Sequence, residues 1–134
     1  MSIAGRDVSV ESSTFIGNTA NHGGGLAFWG RGTVRDSNFS GNSSTVEGGG
    51  IWASSDLAIH DTLIANNASG VHGGGIYSLE DPELEISLTL ENSEVVGNTA
   101  DERGGGLYVR RVSATNLVLA DNASGDSGGG AYLL

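Results

Sequence analysis

The chain of 134 residues contains no cysteine, no lysine and only one proline. Without cysteine, it can form neither a disulfide framework nor a cysteine-based zinc site. Six arginines stand against 16 aspartates and glutamates, and the net charge of -10 excludes the basic surface that nucleic-acid binding requires. No apolar run approaches the roughly 18 residues of a membrane-spanning helix, and the first residues lack the apolar region of a signal peptide. The sequence therefore predicts no nucleic-acid partner and no membrane span.

Glycine, by contrast, is abundant, and its positions repeat. The 23 glycines include five triplets, which begin at Gly23, Gly48, Gly73, Gly104 and Gly128. An aliphatic residue or alanine follows each triplet, and most triplets are preceded by apolar pairs two positions apart, such as Val8/Val10 and Leu57/Ile59. A period near 25 residues is typical of a solenoid. Alternation with a period of two indicates strands rather than helices.

These features predict an all-β chain that folds as a parallel β-helix in one domain, residues 1–134. We expect about five rungs, three parallel sheets and no evident caps. The predicted rungs are 1–25, 26–50, 51–75, 76–106 and 107–130, with a partial rung at 131–134. Residues 79–85 lengthen the fourth rung and contain Pro82, which would break a central strand, so we predict a loop inserted there.

A second motif precedes each glycine triplet: an apolar residue, followed three positions later by asparagine or aspartate. Equivalent residues of successive rungs stack on one another in a β-helix. We therefore predict an apolar ladder and a polar ladder whose amides satisfy backbone groups in a bend. The predicted apolar ladder is Phe15, Phe39, Leu63, Val95 and Val118. The predicted polar ladder is Asn18, Asn42, Asn66, Asn98 and Asp121.

The segments 15–18 (Phe-Ile-Gly-Asn) and 39–42 (Phe-Ser-Gly-Asn), each followed by a glycine triplet and an aliphatic residue, resemble the repeats of polymorphic outer membrane proteins. More broadly, the chain resembles the right-handed parallel β-helices of the pectin-lyase-like type, which include autotransporter passengers, and this resemblance implies a right-handed parallel β-helix. The resemblance implies a secreted or surface-exposed protein that acts as an adhesin or a scaffold. It favours an extracellular or cell-surface location.

An aromatic stripe is predicted on the outside of one sheet. By alternation along each strand, the residue after each post-triplet aliphatic position points outward. The stripe consists of Trp52, Tyr77, Tyr108 and Tyr132. Aromatic rings can stack on sugar rings, which makes the stripe a candidate contact for a glycan or a protein partner. The alternative is that the stacked rings only cover the sheet.

Two groups of titratable residues are weak candidates for a metal site. His22, Glu47 and His72 directly precede glycine triplets and would lie on successive rungs. Cross-strand pairing of charges is the simpler interpretation of that column. The acidic residues of the inserted loop at 79–85 would suit calcium, or they form a solvated acidic loop. No other cofactor is predicted.

The two ends of the predicted column have no polar capping repeat. The ends of a β-helix expose unpaired strand edges, which can pair with other strands. Two explanations remain open: the chain is a segment of a longer solenoid, or its ends bind other copies. The residues that would take part in self-association are Ile3, Val8, Tyr132, Leu133 and Leu134.

Two functional hypotheses follow. The first is a non-catalytic structural or adhesive module, exported or displayed on a surface, that associates through its ends, even into filaments. The second is a β-helix that binds or cleaves polysaccharide with the aromatic stripe and the acidic loop. The sequence shows no complete catalytic constellation of paired acids with a cation or histidine, which favours the first hypothesis.

Overall fold

The computed structural model describes residues 1–3, 7–78 and 86–134, and the predicted parallel β-helix is confirmed. Strands pair only in parallel within these ranges. No helix is found in the same ranges, and hence none long and apolar enough to cross a membrane. The inserted loop predicted at 79–85 lies outside the described residues.

The strands form three sheets. Sheet A contains β1 (Ser2–Ile3), β5 (Leu26–Phe28), β9 (Ile51–Ala53), β13 (Ile76–Ser78), β16 (Leu107–Val109) and β19 (Ala131–Leu133). Sheet B contains β2 (Val8–Glu11), β3 (Thr14–Ile16), β6 (Gly32–Arg35), β7 (Asn38–Ser40), β10 (Leu57–His60), β11 (Leu63–Ala65), β14 (Leu88–Val96) and β17 (Val112–Ala120). Sheet C contains β4 (Thr19–His22), β8 (Ser43–Glu47), β12 (Ala68–Ser69), β15 (Thr99–Ala100) and β18 (Ala123–Ser124).

Each coil runs through sheet B, then sheet C, then sheet A. Sheet B bends within every coil, and β14 and β17 continue unbroken around that bend. We number the coils 1 to 5, and they cover 8–28, 32–53, 57–78, 88–109 and 112–133. Strand β1 pairs with β5 and adds one further strand to sheet A.

The interior is filled by the inward side chains of sheets A and B. Alternate residues of each strand point inward, and those of neighbouring coils lie on one another. The rings of Phe15 and Phe39 stack with centroids 4.6 Å apart. Leu26, Ile51 and Ile76 are fully buried in successive coils of sheet A. Burial of this kind stabilises the column by about 25 cal/mol per Å² of apolar surface.

The interior position of sheet C takes only small residues. Neighbouring coils pair Ser43–Ser44 with Ala68–Ser69, so Ser44 and Ser69 lie side by side in this column. Both hydroxyl oxygens are buried and have no hydrogen-bond partner among the described residues. Ala20 and Ala100 fill the equivalent position in coils 1 and 4.

We expect Ser44→Ala and Ser69→Ala to leave the free energy of unfolding unchanged or to raise it by up to about 1 kcal/mol. Each change removes a buried hydroxyl that lacks a partner and installs the residue that two other coils already use. Urea denaturation followed by circular dichroism measures the effect. A loss of about 2 kcal/mol or more in either variant would mean that these hydroxyls have partners after all.

The predicted apolar ladder is wrong by one residue in coils 3 and 5. Phe39 pairs with Ile64, and Val95 pairs with Leu119, whereas Leu63 and Val118 point outward. Ile64 is fully buried, while Val118 is 47% exposed. The observed inward ladder is Phe15, Phe39, Ile64, Val95 and Leu119.

The predicted polar ladder is present, with the same shift in the same two coils. It consists of Asn18, Asn42, Asn67, Asn98 and Asn122. Asn66 and Asp121 instead precede the ladder residue and adopt positive φ values of 56° and 55°. Gly17, Gly41 and Gly97 hold that left-handed position in the other coils. Asparagine and aspartate tolerate this conformation better than other residues with a side chain, so they replace the glycine.

The ladder asparagines of coils 2 to 5 each satisfy backbone groups of the preceding coil, and successive side-chain amides bond to one another. The Oδ1 atom of Asn67 accepts hydrogen bonds from the backbone N–H and the Nδ2 of Asn42, at 2.9 and 3.0 Å. The Nδ2 of Asn67 donates to the carbonyl of Phe39 and to Oδ1 of Asn98. The amide thus occupies the place where the strand-to-strand hydrogen bonds are interrupted by the turn.

A second ladder, of hydroxyl groups, lies at the bend within sheet B and was not anticipated from the sequence. The backbone N–H of Ser13 donates to Oγ of Ser37, that of Ser37 to Oγ1 of Thr62, and that of Thr62 to Oγ of Ser93. Each of these four hydroxyls donates to the carbonyl two residues earlier in its own coil. Leu117 takes the equivalent place in coil 5. The sequence signal is Ser or Thr directly after Ser, Asp or Asn in coils 1 to 4.

Candidate functional site

The outer surface of sheet A carries the most distinctive cluster of side chains. We call Trp29, Trp52, Tyr77, Tyr108 and Tyr132 the aromatic face. Ring centroids are 6.5 Å apart for Trp52 and Tyr77, and 5.3 Å apart for each of the next two pairs, with planes within 7° of parallel. Trp29 packs against Trp52 at 4.6 Å with a tilt of 52°. Side chains alternate between the two faces of each strand, so these rings point outward. Strand pairing places Trp52, Tyr77, Tyr108 and Tyr132 next to one another in successive coils.

The expectation that this stripe is exposed is wrong for its central members. Trp52, Tyr77 and Tyr108 are buried and, with Ala27, form a second apolar cluster outside the main interior. The rings cover one another's faces, and His72 stacks on Tyr108 at 4.4 Å. Tyr132 is partly buried, and Trp29 is 53% exposed. Trp29 therefore presents the largest open ring surface of the aromatic face.

A polar column flanks the aromatic face. It consists of His22, Glu47, His72, Arg103 and Ser127, which pair in succession across the coils. Glu47 accepts a hydrogen bond from Nε1 of Trp52 at 3.4 Å and lies 3.5 Å from Nδ1 of His22. Arg103 donates to Asp126 at 2.9 Å and lies over the Tyr132 ring at 5.3 Å. The column therefore contacts the edge of the Trp52 ring and the faces of the Tyr108 and Tyr132 rings.

The three residues proposed as metal ligands do not converge on one point. His22 is close to Glu47, whereas His72 faces Glu102, with 3.9 Å between Nε2 and Oε2. His60, on another face, lies 3.0 Å from Glu91. Across residues 1–3, 7–78 and 86–134, no three histidine or acidic side chains are grouped as a metal site requires. Each histidine is paired with a glutamate of the next coil.

The packing of the aromatic face changes the acidity of one phenol. Burial raises the pKa of Tyr108 above its ordinary value, and the neighbouring Tyr132 acts in the same direction, while Arg103 opposes them. A group whose pKa is higher in the folded chain than in the unfolded chain stabilises the fold fully below the unfolded value. This stabilisation is lost as the pH rises through the folded value.

We expect the chain to lose stability as the pH rises above about 10, the ordinary pKa of tyrosine. Tyr108→Phe removes the phenol whose raised pKa causes this loss. The drop in the free energy of unfolding between pH 8 and pH 11, measured by urea denaturation, should therefore be smaller in the variant than in the unmodified chain. Equal drops in the two proteins would contradict a buried, neutral Tyr108.

The end coils expose residues that are buried in the middle coils. Leu119 is 36% exposed, although it shares a column with Val95, which is fully buried. Leu133 and Leu134 are 59% and 52% exposed, and Leu133 pairs with the buried Val109. At the other end Val8 is partly buried, and Ile3 pairs through its backbone with Phe28.

A family comparison identifies one segment of the column. Residues 36–54 match the Chlamydia polymorphic membrane protein repeat. The match contains β7, β8 and β9 of coil 2, with Phe39 of the apolar ladder, Asn42 of the polar ladder and the triplet that begins at Gly48. It agrees with the resemblance inferred from the motifs.

No curated protein sequence and no solved structure shows a significant match to the chain. The repeat match and the chemistry of the described residues are therefore what indicates a function.

Proposed function

We propose that the chain is a non-catalytic structural and adhesive module of an exported or surface protein. The observation that carries the proposal is the repeat match at 36–54, which falls on the ladder residues that build a coil. The polar side chains inside the column support it, because those of the asparagine and hydroxyl ladders are hydrogen-bonded to backbone groups. The outward aromatic rings pack mainly against one another. A structural role uses these side chains fully, whereas catalysis requires groups that are free to react.

The proposal includes association through the end coils, with a second copy or with neighbouring solenoid coils. Strands at the end of a parallel column leave backbone groups unpaired, and such edges pair with further strands. Leu119 and Leu133 would be buried by one more coil, as Val95 and Val109 are buried in the middle of the column. That burial would add apolar stabilisation to the strand pairing.

Light scattering across a range of concentrations, with negative-stain imaging, tests the association. We expect particles that lengthen as the concentration rises. Leu119→Asp should shift the distribution toward monomer, because it would bury a charge at the new contact. Val118→Asp is the matched control, since Val118 is outward on the same strand. Single monomers at high concentration, or equal weakening by both variants, would refute association through the ends.

A second candidate function is glycan binding, and the exposed Trp29 ring is the observation that favours it. Its Nε1 donates to Ser2, which fixes the indole while half of its surface remains open. A glycan array probed with the unmodified chain and with Trp29→Ala distinguishes the two functions. Binding that the variant loses would support a sugar contact. Absence of binding in both proteins would leave the structural role alone.

A further inference from the structure

Three ladder asparagines lie in the acceptor sequence of N-linked glycosylation. This sequence is Asn, any residue except proline, then Ser or Thr. It occurs at Asn42 (Asn-Ser-Ser), Asn67 (Asn-Ala-Ser) and Asn122 (Asn-Ala-Ser). The fold explains the coincidence. The ladder requires asparagine, and the interior position of sheet C two residues later requires a small side chain. Serine is small enough for that position, and Ser44, Ser69 and Ser124 thereby complete the acceptor sequence.

The acceptor sequence usually marks an exposed loop, but here the acceptor nitrogens lie inside the column. Asn42 and Asn67 are each 1% exposed. The Nδ2 of Asn42 uses both of its hydrogens, one toward the carbonyl of Phe15 at 2.9 Å and one toward Oδ1 of Asn67 at 3.0 Å. Asn67 uses both hydrogens in the same way. Asn122 is partly buried and donates to the carbonyl of Val95 at 2.8 Å.

Glycosylation of Asn42 or Asn67 is incompatible with this arrangement. The transfer forms a bond between Nδ2 and the first carbon of the sugar, and breaks the bond from that carbon to a lipid-linked pyrophosphate, which departs with the electron pair. One Nδ2 proton is lost to solvent. The modified asparagine therefore loses a donor of the ladder, and a sugar would have to occupy a space that Asn67 shares with the next coil.

During synthesis the asparagines that could be glycosylated are accessible, because the coil that covers each of them comes later in the chain. The Nδ2 of Asn42 donates to Oδ1 of Asn67 in the next coil, and the Nδ2 of Asn67 donates to Oδ1 of Asn98 in the coil after that. A ladder asparagine therefore remains unprotected until the next coil has emerged and paired. Pairing between residues distant in sequence is slow relative to local structure.

We infer that Asn42 and Asn67 are N-glycosylation sites of the unfolded chain only, and that a glycan attached there prevents its coil from closing. The donor would be a lipid-linked pyrophosphate oligosaccharide. This inference rests on the ladder and does not require the proposed function.

Translation of the full chain behind a cleavable leader, in microsomes that carry the glycosylating enzyme, tests the inference. Ser40→Ala together with Ser124→Ala serves as the parent, because these changes remove the acceptor sequences at Asn38 and at the partly buried Asn122. The matched variant adds Ser44→Ala and Ser69→Ala. These changes remove the acceptor sequences but keep every ladder asparagine, and Ala20 and Ala100 already fill this column.

In the parent we expect glycopeptides that contain ladder asparagines, and loss of protease resistance in the modified molecules alone. The matched variant should show neither the glycopeptides nor the loss of resistance. Parent protein that is folded before it meets the enzyme should remain unmodified. Two results would overturn the inference: ladder-glycosylated molecules as resistant as unmodified ones, or a parent chain that is not modified at the ladder at all during translation.

Discussion

We expect Asn67→Ala to lower the free energy of unfolding by about 3 to 5 kcal/mol, at about 1 to 3 kcal/mol for each buried polar group left without a partner. The change removes the acceptor of both the backbone N–H and the Nδ2 of Asn42. It also removes the donor to the buried carbonyl of Phe39. Urea denaturation monitored by circular dichroism gives the value.

Asn66→Gly is the matched control, because it alters the adjacent asparagine. Asn66 is exposed and has a φ of 56°, which glycine adopts without strain. Three other coils have glycine at this position. We expect a change within about 0.5 kcal/mol. If Asn66→Gly were the more damaging change, the ladder would run through Asn66 and the observed register would be wrong.

The second large effect is expected for Ile64→Ala, about 3 kcal/mol of lost stability. Ile64 is fully buried between Phe39 and Val95, and the coils on both sides limit how far the space can collapse. Shortening its side chain removes apolar contacts and leaves a cavity. Thermal and urea denaturation should both register the loss.

Leu63→Ala is the control for this change, at the neighbouring outward position. Leu63 is only partly buried and lies beside Asn38 and Glu94 on the outer surface of sheet B. We expect a loss below about 1 kcal/mol. Similar losses in the two variants would contradict the assignment of Ile64 to the interior.

The comparison of coils shows which part of the register was predictable. In coils 1, 2 and 4 a glycine precedes the ladder asparagine, so motif and ladder coincide. In coils 3 and 5 Asn66 and Asp121 replace that glycine. The motif spacing therefore points to them instead of to the ladder residue that follows. Two signals could have corrected the register: Asn and Asp substitute for glycine at left-handed positions, and the ladder residue lies six positions before the triplet in coils 2 to 5.

Orientation was easier to predict than burial. Alternation along a strand is a local property, so the outward direction of Trp52, Tyr77 and Tyr108 followed from the sequence. Their burial depends on how the flanking histidines and the neighbouring rings pack, which no local pattern contains. The hydroxyl ladder was missed for a related reason: Ser and Thr next to Asp or Asn are also typical of ordinary turns.

Nuclear Overhauser effects between backbone amide protons are the most direct test of whether equivalent residues of successive coils are neighbours. Neighbouring parallel strands are about 4.8 Å apart, within reach of this measurement. The structure predicts cross-peaks that link the region of Asn42 with that of Asn67, and the region of Asn67 with that of Asn98. Contacts between residues three or four apart along the chain, or cross-peaks that place Asn66 or Asp121 in the ladder, would contradict it.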